Sequence, residues 1–79
     1  MTITILYFAM LREQRGRDQE TLITSAITPG ALYDELCQRH GFTLTKAQVG
    51  VAVGDELVSW EAPLAPGDTV AFLPPVSGG

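Results

Sequence analysis

The residues with the clearest chemical potential are Pro74-Pro75-Val76-Ser77-Gly78-Gly79, and the reactive group they carry is the α-carboxylate of Gly79. A carboxylate is a poor acyl donor until one oxygen becomes a leaving group, for example in a mixed anhydride with AMP. Such a group works only if another protein's active site can close around it. Gly78 and Gly79 suit that use, because a residue without Cβ takes almost any backbone conformation and fits a narrow channel. Pro74 and Pro75 fix φ, supply no N–H and bias their predecessors toward extended forms. They are expected to end strand pairing and launch the tail away from the body, with a reach of roughly 20 Å at about 3.3 Å per residue. Read alone, a terminal diglycine is also compatible with an idle, frayed end. The proline pair and the apolar strand feeding it point to presentation of the carboxylate.

The rest of the chain must then be a body that presents this tail. Seventy-nine residues make one domain, 1–79, with a small core. Hydrophobic residues at 46% against 18% charged fit a folded chain and exclude a disordered one. The formal net charge of −4 argues against nucleic acid as a partner and suits a basic docking surface. One cysteine, Cys37, excludes an internal disulfide and a multi-cysteine metal site. Without a disulfide, a signal-peptide pattern or an apolar run approaching the ~20 residues of a membrane span, a cytoplasmic protein is expected.

Along the chain, Thr2–Phe8 reads as a strand with Ile3, Ile5 and Tyr7 on one face and Thr2, Thr4, Leu6 and Phe8 on the other. Ala9–Arg15 is a short helix candidate ended by Gly16. Gln19–Ser25 is a second strand, antiparallel to the first. Thr28 as N-cap and Pro29 at the first helical position open the main helix, which runs to His40 and stops at Gly41. Its inward stripe is Leu32 and Leu36, with Tyr33, Cys37 and His40 as further candidates. Residues 42–48 form a loop of open role. Val49–Val53 and Glu56–Trp60 are strands joined by a tight Gly54-Asp55 turn, residues 62–64 are a crossing segment with a candidate 3₁₀ turn, Pro66-Gly67-Asp68 is a turn, and Thr69–Leu73 is the last strand.

One sheet of four to five strands with one main helix across it can bury a core of this size, an α+β arrangement of the β-grasp (ubiquitin-like) type. The last strand is expected in the middle of the sheet, parallel to the first. Val70 and Phe72 then face the helix, and Ala71 and Leu73 face the uncovered side, where Phe8 and Leu57 also fall. Apolar side chains clustered there beside the tail suggest a docking patch.

These residues resemble the sulfur-carrier small subunits of molybdopterin synthase, among the ubiquitin-like β-grasp proteins. The matching stretches are Tyr7-Phe8-Ala9-Met10-Leu11-Arg12-Glu13, Val51-Ala52-Val53, Leu57-Val58-Ser59 and Pro63-Leu64 through Gly67-Asp68-Thr69-Val70-Ala71-Phe72-Leu73 to Pro74-Pro75-Val76-Ser77-Gly78-Gly79. The resemblance implies that an activating enzyme related to ubiquitin E1 consumes ATP to adenylate Gly79. Sulfur transfer turns the acyl adenylate into a thiocarboxylate. The tail then donates sulfur to cyclic pyranopterin monophosphate within the large synthase subunit, in a complex of two small and two large subunits. On this reading the chain is a sulfur donor and not an enzyme alone, with no permanent cofactor, metal, nucleic acid or membrane. Gly79 and Gly78 carry the chemistry, and Phe8, Leu57, Leu73, Pro74, Pro75, Val76 and Ser77 meet the partners. The family commonly has Asn where this chain has Gly54.

The remaining polar residues give no nucleophile–base pair, phosphate loop or metal-ligand spacing. Cys37 reads as a packed, inert helix cysteine in preference to a sulfur relay, His40 as a helix C-terminal residue, Arg12 as a member of a local surface ion pair in preference to a pair with a partner's acidic residues, and Trp60 as core-edge packing. Asp18, Glu20, Asp55 and Glu56 read as solvated carboxylates. Three alternatives stay open: a related carrier supplying sulfur for thiamine, cysteine or tRNA thiolation, a ubiquitin-like modifier joined through Gly79 to a target lysine, and a plain interaction module.

Overall fold

A computed structural model of the chain describes residues 1–75. The elements are β1 (Thr2–Tyr7), α1 (Ala9–Arg15), β2 (Gln19–Ile23), α2 (Pro29–His40), a 3₁₀ turn at Lys46–Gln48, β3 (Gly50–Val53), β4 (Glu56–Val58) and β5 (Thr69–Leu73). The strands form one mixed sheet in the order β2-β1-β5-β3-β4. As expected, β5 is central and runs parallel to β1, with Ile5 beside Val70 and Tyr7 beside Phe72. β2 is antiparallel to β1, and β3 pairs antiparallel with both β5 and β4.

Alternation decides which face is covered. Ile3, Ile5, Tyr7, Val51, Val70 and Phe72 are buried against Leu32, Tyr33 and Leu36 of α2. Phe72 is fully buried, its ring centroid 5.2 Å from Tyr33 and 6.1 Å from Trp60. Truncation there costs about 3–5 kcal/mol. α2 has the ends its sequence announces. The Thr28 hydroxyl accepts from the Ala31 amide, Pro29 occupies the first turn, and Gly41 takes the left-handed conformation while its amide donates to the Cys37 carbonyl.

α1 is a weaker helix. Seven residues are too few for a helix to stand alone. Phe8 at its N-cap offers no side-chain hydrogen bond, and Ala9 sits at φ 50, a left-handed conformation that costs a residue with a Cβ about 1 kcal/mol. Tertiary contacts hold it: Leu11 is fully buried, and Gln14 makes two hydrogen bonds to Thr43. The 42–48 segment thereby acquires a role. Phe42 packs between the Tyr7 and Tyr33 rings, the Tyr33 hydroxyl donates to the Leu44 carbonyl at 2.7 Å, and Lys46 pairs with Asp34 at 2.9 Å.

Some expected boundaries move. β2 stops at Ile23 and β4 at Val58, short of the expected Ser25 and Trp60. Past Val58 the chain turns inward, because the Trp60 ring stacks on Phe72 and its carbonyl accepts from the Gly30 amide at 2.9 Å. No 3₁₀ turn forms at 62–64, since the Leu64 amide donates across the molecule to Ile27. The 3₁₀ turn forms instead at Lys46–Gln48, where the Gln48 side chain accepts from the Thr45 amide.

Candidate functional site

Among the described residues the sheet face opposite α2 carries no covering element. Register places Leu6, Ala71, Ala52 and Leu57 in one row across β1, β5, β3 and β4. At about 4.8 Å per strand the row spans roughly 14 Å. One step toward the C-terminal end of β5, Leu73 stands opposite Gly50. Phe8, still extended at φ −130 and ψ 152, continues the alternation of β1 beside it. The large side chains thus lie around the rim, and Ala52, Ala71 and Gly50 form a low centre. Phe8 is 43% exposed and Leu57 76% exposed, and Leu73 is half-buried. Met10, also exposed, lies in the first turn of α1.

Because β1 and β5 are parallel, Phe8 and Pro74 leave the sheet at the same end. Pro74 is half-buried and Pro75 exposed. Val76, Ser77, Gly78 and Gly79 lie outside the described residues. The structure therefore brings together three of the partner-contact residues expected from the sequence, Phe8, Leu57 and Leu73, on one bare face that adjoins the tail. Leu6, Ala52, Gly50 and Met10 were not singled out as site residues. The signal for Leu6, Ala52 and Gly50 was present in the alternation of β1 and β3, but Ala52 and Gly50 are small residues, which a search for exposed large apolar side chains passes over, and Met10 lies in α1 outside that alternation.

Glu20 corrects an expectation. It is not a solvated carboxylate: its side chain is 11% exposed. β2 turns it to the covered side of the sheet, opposite Ile5. There Arg15 of α1 grips it with two bonds, Nε to Oε2 at 2.9 Å and Nη2 to Oε1 at 2.8 Å, and the Tyr7 hydroxyl donates to Oε2. These bonds, the Arg15 fork foremost, hold its carboxyl at about 2, although burial works the other way. Burial, reinforced by the Glu20 carboxylate, pushes the Tyr7 hydroxyl up. His40 joins the group from α2, its Nε2 3.8 Å from Oε2. Burial first, and the Arg15 charge second, lower the His40 pKa. Its place at the helix end is as expected, but its neighbour across the fold is not.

Other polar residues behave more simply. Asp18, Asp55 and Glu56 are exposed. Arg12 is exposed and makes no ion pair among the described residues, so the expected local pair is not formed. Cys37 is half-buried, and burial raises its thiol pKa, as suits an inert position. Among the described residues no cluster of His, Cys, Asp and Glu could hold a metal ion, and no helix is long and apolar enough to cross a membrane.

The arrangement is a scaffold with a bare apolar face and a central strand that leads into Pro74 and Pro75. The model of the ThiS family matches residues 5–79. The chain belongs to the ThiS family. Within that family's range of relatives, it is 38% identical to the molybdopterin synthase sulfur carrier subunit of Escherichia coli (strain K12), over 98% of this chain and 99% of that protein. Among solved structures, the putative molybdopterin converting factor, subunit 1, of Pyrococcus furiosus superposes with a TM-score of 0.78 at 29% identity, covering 96% of this chain and 99% of that one. SAMP1 of Haloferax volcanii superposes with a TM-score of 0.80 at 26% identity, over the whole of both chains. As a ThiS-family protein, the chain is a β-grasp domain whose central strand leads into its C-terminal segment.

Proposed function

We propose that this chain is the sulfur-carrier small subunit of a molybdopterin synthase, acting in the cytoplasm through a thiocarboxylate on Gly79. The observation that carries the reading is the full-length likeness to a sulfur carrier subunit of that name, and the bare face beside the Pro74-Pro75 exit fits a subunit that must dock on larger partners. In the first step the Gly79 carboxylate attacks ATP on an E1-like activating enzyme, forming the acyl adenylate and releasing pyrophosphate. A sulfide-equivalent nucleophile then forms the C–S bond as the C–O bond to AMP breaks. In the large subunit the thiocarboxylate sulfur forms a C–S bond to an electrophilic carbon of the cyclic pyranopterin monophosphate as a C–O bond at that carbon breaks; water then cleaves the resulting thioester, leaving the sulfur on the pterin as a thiol and returning Gly79 to its carboxylate. The large subunit supplies the catalytic side chains, in a complex of two small and two large subunits. The carrier supplies one acyl group, the Gly78 backbone that lets it enter a channel, and the contact face of Phe8, Leu57, Leu73 and the 74–77 segment.

The test is the intact mass of the chain after incubation with ATP, an activating enzyme and a sulfur donor. Replacement of one oxygen by sulfur, mapped to the C-terminal peptide, is the expected result. The charged chain, mixed with the large subunit, then converts the pterin precursor, and a chain lacking Gly79 does not. An unchanged mass under conditions that charge a known carrier would sink the proposal.

A second reading draws on the close superposition with SAMP1, whose name in full is small archaeal modifier protein 1. In a modifier, the acyl group of Gly79 would pass to a lysine amine of another protein. Target proteins bearing a Gly-Gly remnant on lysine after proteolysis would establish that use.

A further inference from the structure

Phe8 is tied to one carboxylate from both directions along the chain, through Tyr7 beside it and through Arg15 at the far end of α1, a helix that buried Leu11 and the Gln14–Thr43 bonds also hold. On its N-terminal side, the Tyr7 hydroxyl donates to Glu20 Oε2. On its C-terminal side, α1 is fastened at its last residue, where Arg15 forks onto both Glu20 oxygens. Phe8 itself has no such anchor, being 43% exposed at an uncapped helix start. α1 lacks the length to fix its own orientation, and the left-handed Ala9 between Phe8 and the body of α1 makes the direction of that helix decisive for where Phe8 points. An apolar side chain would fill the Glu20 position at less desolvation cost. A carboxylate reaching β1 and α1 at once fixes a geometry that apolar packing leaves looser.

We propose that Glu20 is a positioning residue for partner docking: from the covered side of the sheet it clamps Tyr7 and Arg15, and so presents the Phe8 ring on the opposite face. The inference rests on the functional reading above, in which Phe8 meets the large subunit. Among the described residues the polar contacts of Glu20 are with Tyr7, Arg15, Arg17 and His40, on the covered side of the sheet, so the influence proposed here passes through Phe8.

The test is a double-mutant cycle on equilibrium binding to the synthase large subunit, using the full chain. Glu20→Gln keeps shape and one acceptor while removing the charge. It is expected to weaken binding roughly fivefold, and Phe8→Ala tenfold or more. The Glu20→Gln, Phe8→Ala double variant is expected to bind no more weakly than Phe8→Ala alone. Arg15→Met attacks the clamp from α1 and is expected to give the same non-additive pattern, so the result does not depend on one variant folding well. Losses that simply add, or undiminished binding of both clamp variants, would overturn the proposal. A partner-free measurement separates this inference from the functional reading. In NMR relaxation the Phe8 ring is expected to lose order in Glu20→Gln while the β5 amides keep theirs. Unchanged order at Phe8 would overturn the clamp. Failure of the unaltered chain to bind the large subunit would instead strike the functional reading.

Discussion

Leu73 and Gly50 face each other across the β3–β5 ladder on the sheet surface that α2 leaves bare. A Cβ at Gly50 would lie 4.0 Å from the Leu73 Cβ and 3.9 Å from its carbonyl oxygen, which is contact and not collision. The fold therefore does not demand glycine there. Glycine within a strand costs about 0.5–1 kcal/mol of stability, and what it leaves is a gap beside Leu73 at the exit of the tail. Gly50→Val is expected to hold or raise stability by up to about 1 kcal/mol in urea denaturation. The same change is expected to weaken binding to the large subunit about tenfold by filling the gap. Unchanged affinity would remove Gly50 from the docking face.

Leu57 gives the opposite test, of an apolar side chain with no structural duty. It is 76% exposed on the edge strand β4, across from Ala52. Leu57→Ser is expected to alter stability by no more than about 0.5 kcal/mol. Its cost falls on association, with a loss of about tenfold or more in affinity measured by calorimetry. A Leu57→Ser chain that binds normally would confine the contact to the Phe8–Leu73 side of the face.

Period-2 alternation in Thr2–Phe8 and Thr69–Leu73 was enough to assign the covered and bare faces, because each strand buries one side only. Thr28, Pro29 and Gly41 marked the ends of α2 through local chemistry, and Gly16 did the same for α1. Less was legible where a distant partner decides the outcome. The inward turn at Trp60 depends on the Phe72 ring and the Gly30 amide, and neither lies nearby in sequence. Glu20 read as solvated because a lone carboxylate in a short strand gives no sign that Arg15, Tyr7 and His40 converge on it from three other elements. Phe8, Leu57 and Leu73 were legible as large apolar side chains on the bare face and Ala71 as a residue of that face, but Gly50 and Ala52 at its centre were not singled out.

Gly30 shows a glycine that the packing does require. It is buried in the first turn of α2, and a Cβ there would come within 3.1 Å of the Trp60 carbonyl oxygen. That oxygen already accepts from the Gly30 amide at 2.9 Å, so it can retreat only by lengthening the bond that ties the 59–61 segment to α2. The small gain in helix propensity at a terminal turn does not offset this. Gly30→Ala is expected to cost about 1–2 kcal/mol in urea denaturation, with reduced order at the Trp60 indole in fluorescence. A stabilised Gly30→Ala protein would mean that the 59–61 segment yields without cost.

The Glu20 cluster predicts how the protein responds to acid. The unfolded Glu20 carboxyl titrates near 4.5 and the folded one at about 2, so the stability it contributes is present above pH 4.5 and is lost as pH falls toward 2. By linkage the full loss amounts to at most about 3 kcal/mol. His40 acts earlier and in the same direction. Its folded pKa lies below the ordinary 6.5, so on acidification the unfolded chain takes up the proton first and stability begins to fall from about pH 6.5. The groups facing this pair are Arg15 and Arg17 from the α1–β2 side, Tyr7 from β1 and Arg39 from α2. Acid unfolding should therefore show two slopes in a plot of stability against pH. His40→Gln is expected to remove the upper one and leave the lower, whereas Glu20→Gln flattens the region between pH 4.5 and 2. A single slope that survives both substitutions would place the acid sensitivity elsewhere in the molecule.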